Sequence, residues 1–349
     1  MKFRHSLHSN YCDQRVGSKG EEDTVRFAVI GVDHPHAVEL TTALDAAGAA
    51  CIGWGITDDD PNQVFRNVFP DLPCLAPTEL LADRPDLVVT AGVPNTRGMW
   101  STQAMDAGAD VLVACPGALG QGQLAEIDAL VSTTGRRWWV AFTDHFASRA
   151  VIRAHQLVSQ GRIGVPRHLI GIGPHRRSSN RPDWFTDPFR SGSMIADLAA
   201  QHIHHAARFL DGTDLDVLAA RTTGWADGGH PDAIAEVLLE GGTGSAYIRV
   251  DWLTPRGSPT WGDVRLMVTG DAGTIEIRQN IDLDGQPGDE HLLVVDQNGV
   301  HRIDCRDVAV SWAADLILDV RDRTERVVRT RDSINVMRIA LHAADIAKD

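Results

Sequence analysis

The stretch VRFAVIGVDHPHAVEL, residues 25–40, changes character at its middle. It opens as a short apolar run of buried-strand type, and beyond Gly31 the residues Ala37, Leu40, Leu44 and Ala47 fall on one face of a helix. The same alternation continues downstream. AACIGWGIT (49–57), DLVVTA (86–91), DVLVA (110–114) and RRWWVAF (136–142) read as strands. Between the last two lies a helix carrying Leu124, Ile127, Leu130 and Val131. Strands alternating with helices of this length form βαβ units and a parallel sheet. Right-handed crossovers make that sheet doubly wound, with ligand sites outside the carboxyl ends of its strands.

After Phe142 the pattern shifts. One helix, with Val151, Ala154 and Val158 at helical spacing, is followed by strands that succeed one another directly. IAEVLLEGGTGSAYIRVDW (234–252) and DVRLMVTGDAGTIEIRQ (263–279) each read as two strands around a Gly-containing turn, and HLLVVDQNGVHRID (291–304) turns at Asn298-Gly299. Consecutive hairpins predict a large, open, mostly antiparallel sheet. A closing helix carries Ile334, Met337, Leu341 and Ala344. The expected division is a loose extension over 1–24, a first domain over 25–145 and a second α/β domain over 146–349.

Composition limits the function classes. A formal charge of −14 on 349 residues argues against a nucleic-acid binder, which displays a basic surface to release counterions. No apolar run reaches bilayer length, so no membrane span is expected. The five cysteines are scattered without a C-x-x-C pair, and the polar first 23 residues lack a secretory apolar core. Both features predict a cytoplasmic protein with a small-molecule ligand.

A dinucleotide-binding G-x-G-x-x-G would put glycines at 31, 33 and 36, but only Gly31 is present, with Asp33 and His36 in the other places. Pro35 suits a first helical turn. At the end of the second strand, Asp58 is placed to accept hydrogen bonds from a ribose diol. The carboxylates of residues 58–60 would repel a 2′-phosphate, which favours NAD over NADP. A solvated acidic turn ahead of Pro61 is the plainer alternative.

Two further constellations invite chemistry. VLVACPGAL (111–119) ends a strand on Cys115, a place for a nucleophile or redox thiol, yet the sequence supplies no positioned base, and a small buried cysteine fits equally. In QHIHHAARFL (201–210), His202 and His205 are three residues apart, but no spacing completes a zinc set, so no metal is expected. The loop PHRRSSNRPDWF (174–185) brings Arg176, Arg177, Arg181 and Trp184 into an acidic chain, which suits a carboxylate or hydroxylated substrate. Trp252 suits a sugar site or a core.

The order of strand-Gly loop, DDDP (58–61), VPN (93–95), VLVACP (111–116), RPDWFTDP (181–188) and a D-x-x-x-Q helix resembles the Gfo/Idh/MocA oxidoreductases from Val25 onward. GPHRRSSNRPDWFTDP, YIRVDWLTPRGSPTWGD and DVRDRTE carry the more specific part of the likeness. The resemblance implies an N-terminal Rossmann domain, a second domain whose sheet mediates self-association, and hydride transfer between NAD(P) and a sugar, cyclitol or related hydroxyl or carbonyl compound. It implies cofactor contacts at Gly31, Asp33, His34, His36, Asp58, Val93, Pro94, Asn95 and Cys115, and substrate contacts at Arg181, Trp184 and His204.

The family's E-K-P lysine position is Cys115 here, and only Pro116 of the motif remains. Asp197 matches the family aspartate, and four residues on, where relatives carry histidine, stands Gln201. His202 is one position further, about 100° around a helix; a one-residue insertion would restore it. The catalytic candidates are therefore Cys115, Asp197, Gln201 and His202, with His145 and His204 as other possible acid/base groups. A thiol is neutral near pH 7 and a poor stand-in for an ammonium. Losing a positioned acid/base group costs a factor of roughly 10² to 10⁴. A catalytically degenerate NAD- or sugar-binding protein is the alternative expectation, and metal-assisted hydrolysis or lyase chemistry through the histidines a third.

Overall fold

The structure, a computed structural model, describes residues 24–57, 63–177, 181–212, 214–224 and 232–348. Asp58 lies outside the described residues. By internal contacts the chain forms two compact units. One is Met1–Ala114 with Ala129–Trp139 and Ser311–Arg329; the other is Cys115–Asp128 with Val140–Val310 and Thr330–Asp349. Beside the sequence division near 145, two short stretches thus group across it: Cys115–Asp128 with the later unit and Ser311–Arg329 with the earlier.

The first sheet is parallel, in the order β2-β1-β3-β4-β5. Its strands are β1 (Arg26–Ile30), β2 (Ala50–Gly55), β3 (Leu87–Thr90), β4 (Asp110–Ala114) and β5 (Trp138–Ala141). They alternate with α1 (His36–Ala46), α2 (Gln63–Val68), α3 (Pro77–Ala82), α4 (Pro94–Asp106) and α5 (Gln121–Thr134). Every residue of β3 and β4 is buried, as expected of parallel strands covered on both faces. On α1 the residues turned inward are Ala37, Leu40, Thr41, Ala43 and Leu44. Each fully buried leucine or isoleucine contributes about 1.5–3 kcal/mol.

The chain continues through α6 (Thr143–Phe146), α7 (Arg149–Ser159), β6 (Pro166–Pro174), α8 (Pro188–Ser191) and α9 (Ala200–Phe209). Six more strands follow: β7 (Asp216–Thr223), β8 (Ile234–Gly241), β9 (Gly244–Asp251), β10 (Arg265–Gly270), β11 (Gly273–Arg278) and β12 (His291–Asp296). The last elements are β13 (Gly299–Ile303), α10 (Trp312–Asp322) and α11 (Thr330–Ile346). The eight-stranded second sheet runs β13-β12-β11-β10-β6-β9-β8-β7 and is antiparallel except where β6 meets β9.

Alternation governs the central strands of this sheet. Ala235, Val237 and Leu239 of β8, Ala246, Ile248 and Val250 of β9, and Leu266 and Val268 of β10 are buried, with Ile195–Ala199 packed on β8 and β9, α9 on β6 and β9 and α7 on β11 and β12, while Leu238 and Met267 face outward. No described helix is long and apolar enough to cross a membrane.

Candidate functional site

In the first sheet the chain leaves β1 toward β2 on one side and returns to β3 on the other, so β1 and β3 flank the topological switch point. Two glycines meet there. Gly31 has φ +78°, and a Cβ on it would lie 2.5 Å from the Gly92 Cα and 2.9 Å from the Thr57 Oγ1. A Cβ on Gly92 would in turn stand 2.6 Å from that Thr57 oxygen. The loops after β1 and β3 therefore touch backbone to backbone, as only glycine permits.

His34 donates its amide to the Ala91 carbonyl at 3.0 Å, and the His36 amide donates to His34 Nδ1 at 3.3 Å. The Thr57 hydroxyl donates to Asp33 at 3.5 Å. Val93 and Pro94 are buried at the start of α4, and Asn95 is exposed on its first turn. Beneath them the buried Arg97 donates Nε to the Gly92 carbonyl at 2.8 Å and Nη1 to the Ala114 carbonyl at 3.1 Å. The turn thus fits a dinucleotide at its first glycine and departs at the second and third, where Asp33 and His36 add side chains. Gly92, Thr57 and Arg97 belong to no sequence motif; a glycine closing the third strand was the one available signal.

The later unit gathers the other candidates around one wide helical turn. Ile195–Ala199 is π-helical: the Ala200 amide donates to Ile195 O, five residues back, before α9 resumes regular winding. One extra residue therefore sits between Asp197 and the histidines that follow. Cys115 is 1% exposed, and its thiol donates to the carbonyls of Asp197 at 3.3 Å and Ala196 at 3.6 Å. Its peptide with Pro116 is cis. The thiol hydrogen is engaged by the turn that carries Asp197, which suits a structural cysteine better than a nucleophile.

Gln201 is buried, and among the described residues its Oε1 has no hydrogen-bond partner. The His202 ring lies against β6, where a Cβ at Gly171 would come 2.8 Å from Nδ1 and one at Gly173 2.7 Å from Nε2. Burial, then His175, pushes the His202 imidazole down to about 3, so it is neutral at ordinary pH and a weak base. His175, which donates Nδ1–H to Gly173 O at 2.9 Å, is pushed down to about 4, chiefly by burial.

Arg181 stands over Phe185, 4.1 Å from the ring centroid, with Trp252 at 5.3 Å and Trp261 at 5.5 Å. Burial lowers its proton affinity and Asp197 partly restores it. Trp184 packs beside Phe185 at 5.9 Å.

His204, expected with Arg181 and Trp184, belongs to a different group. It stacks on Phe142 at 4.4 Å and meets His145 edge-on at 4.7 Å. His145 also touches His155 and His205, at 4.8 and 5.7 Å. All four imidazoles are held well below the usual histidine range, by burial first and then by one another or by Arg208. Among the described residues both ring nitrogens of His204 and His205 lack hydrogen-bond partners. Among the described residues no group of three or more His, Cys, Asp or Glu side chains is arranged to hold a metal ion.

Comparisons with known proteins agree with this architecture. Residues 151–276 match the GFO/IDH/MocA C-terminal domain model. A crystal structure of a candidate oxidoreductase from Erwinia carotovora atroseptica is 30% identical with a TM-score of 0.90, over 93% of this chain and 99% of that one. An Agrobacterium radiobacter oxidoreductase in complex with NAD+, L-tartaric acid and magnesium is 17% identical, TM-score 0.74, over 93% and 96% of the two chains. Levoglucosan dehydrogenase in complex with NADH and levoglucosan is 14% identical, TM-score 0.78, over 93% and 97%. No curated protein matches the chain in sequence. On the C-terminal domain and the near-complete likeness to the Erwinia protein, the chain belongs to the Gfo/Idh/MocA family of oxidoreductases.

Proposed function

We propose that the protein is an NAD(H)-dependent oxidoreductase acting on a hydroxyl or carbonyl carbon of a sugar, cyclitol or related small molecule in the cytoplasm. The observation that carries this reading is the glycine-to-glycine contact of Gly31 and Gly92 at the switch point, where open α/β sheets take dinucleotides in the crevice beyond the strand ends. NAD or NADH in the related structures supports the cofactor, and L-tartaric acid and levoglucosan there support a polyhydroxylated substrate. When bound, the nicotinamide supplies the hydride donor or acceptor.

The chain's own residues bind and orient. In this reading Gly31, Asp33, His34, His36, Val93, Pro94 and Asn95 hold the dinucleotide, with Asp58 on the ribose, and the acidic run 58–60 disfavours NADP. The functional division is 25–145 for cofactor and 146–349 for substrate and self-association. On the substrate side Gln201 Oε1 is an acceptor for a substrate hydroxyl, and Asp197 and Arg181 set its charge. Cys115 supplies no ammonium, so turnover is expected to be slower than by a lysine mechanism by a factor of roughly 10² to 10⁴.

Fluorescence titration with NADH and NADPH tests the cofactor, followed by an absorbance screen of polyols, keto-sugars and hydroxy acids. Absence of binding by either nucleotide overturns the reading. The engaged Cys115 thiol and the neutral His202 favour a second reading, a catalytically degenerate NAD- or sugar-binding protein. NADH binding without turnover across the screen is its expected signature.

Self-association is proposed through the outer face of the second sheet. Register aligns Leu238, Tyr247, Ile170 and Met267 as neighbours across β8, β9, β6 and β10, a continuous row of large side chains flanked by charged ones. Light scattering of wild type and Met267→Glu checks it: the expected outcome is loss of the oligomer in the variant.

A further inference from the structure

We propose that Arg181 is a preformed carboxylate receptor, and that the substrate is a hydroxy acid or sugar acid rather than a neutral sugar; this rests on the oxidoreductase reading above. The guanidinium is held by ring faces: Phe185 at 4.1 Å, Trp252 at 5.3 Å and Trp261 at 5.5 Å all lie within cation–π range. Among the described residues the Arg181 side chain makes no hydrogen bond and no ion pair.

Neighbouring arginines behave differently. Arg176 spends Nη2 on the carbonyls of Ser258 at 2.5 Å and Thr260 at 2.9 Å, and Arg97 spends its donors on Gly92 and Ala114. A half-buried arginine fixed by aromatic rings, with its planar fork open, matches the two oxygens of a carboxylate and loses little further freedom on binding one.

The surroundings sharpen the choice of ligand. His175, which feels the Arg181 charge, is neutral, and Asp197 acts on Arg181 electrostatically. A neutral polyol would leave the guanidinium without a counter-ion. In a chain of net charge −14, an anionic substrate also needs a local cation to enter at all.

The test is binding rather than turnover, measured by calorimetry with and without NADH, using D-gluconate and D-glucuronate against D-glucose and myo-inositol. The carboxylates are expected to bind roughly 10- to 100-fold more tightly than their neutral counterparts, the increment of a charge-assisted hydrogen-bond pair. Arg181→Met should abolish that preference, bringing the carboxylates down to the affinity of their neutral counterparts. Arg181→Lys, which keeps the charge and loses the fork, should retain only part of it and guards against misfolding of the methionine variant. Equal binding of charged and neutral compounds, failure of both carboxylates to bind, or a preference untouched in both variants overturns the proposal. Carboxylate preference without NADH binding would instead overturn the cofactor reading alone.

Discussion

The switch point of the first sheet and the wide turn before α9 are both places where regular geometry gives way, and they are built from opposite materials. At the switch point side chains are removed: Gly31 and Gly92 let two loops touch, and Arg97 satisfies the carbonyls below. Around α9 side chains are added. Cys115 donates to the wide turn, His202 fills the space over two glycines of β6, and four further imidazoles crowd behind. Backbone-made regions are sensitive to sterics, whereas side-chain-made regions holding unpartnered polar atoms are sensitive to protons.

The largest expected effect follows from that second sensitivity. His145, His155, His204 and His205 all take up protons less readily folded than unfolded, so as pH falls through the ordinary value of 6.5 the unfolded chain binds protons first. Their stabilisation is complete above that value and is lost as pH falls below it. Each group contributes a slope of up to about 1.4 kcal/mol per pH unit. With His202 at about 3 and His175 at about 4, the window runs from 6.5 to below 4. Urea midpoints should fall steeply across it. His204→Phe, which keeps the stacking on Phe142, should flatten the slope by about one proton; an unchanged slope would show that the cluster titrates elsewhere.

Next comes the steric side. Gly31→Ala combines a left-handed backbone with a methyl group 2.5 Å from the Gly92 Cα, and should destabilise by roughly 2–5 kcal/mol. Gly48 is the control: its φ is +96° with nothing within 4 Å of an added Cβ, so Gly48→Ala should cost only about 1–2 kcal/mol. Equal losses in thermal denaturation would remove the loop contact from the explanation.

Arg97→Met should cost slightly less, about 1.5–3 kcal/mol, because it leaves two buried carbonyls without a donor. NADH affinity should fall alongside stability if the β3 loop holds cofactor.

The same contrast explains what was legible beforehand. Continuous apolar runs such as LVVT and DVLVA announced the parallel strands, and Asn298-Gly299 announced the β12–β13 hairpin, because both signals are local. The parallel β6–β9 pair joins residues 77 apart in the chain, with no local trace. MIADLAAQ reads as uninterrupted helix, and nothing in it marks the π turn at Ile195–Ala199. Spacing grouped His202 with His205, which do touch at 5.8 Å. It could not bring in His145 and His155, which reach the cluster from α6 and α7 through tertiary packing.

The smallest effect concerns Cys115 and bears most directly on its role. A sulfhydryl is a weak donor, so Cys115→Ala should cost about 1 kcal/mol, and Cys115→Ser, which keeps a donor toward the Asp197 carbonyl, less. Thiol labelling separates the alternatives further. Cys74 is exposed and should react promptly in the native protein. Cys51 and Cys305, whose thiols burial pushes up to about 11, should react slowly. Cys115, its hydrogen given to the π turn, should be labelled only at the rate of unfolding, as peptide mapping by mass spectrometry would reveal. Prompt labelling would mean that the thiol is available for chemistry, a nucleophile rather than a brace for the turn that holds Asp197.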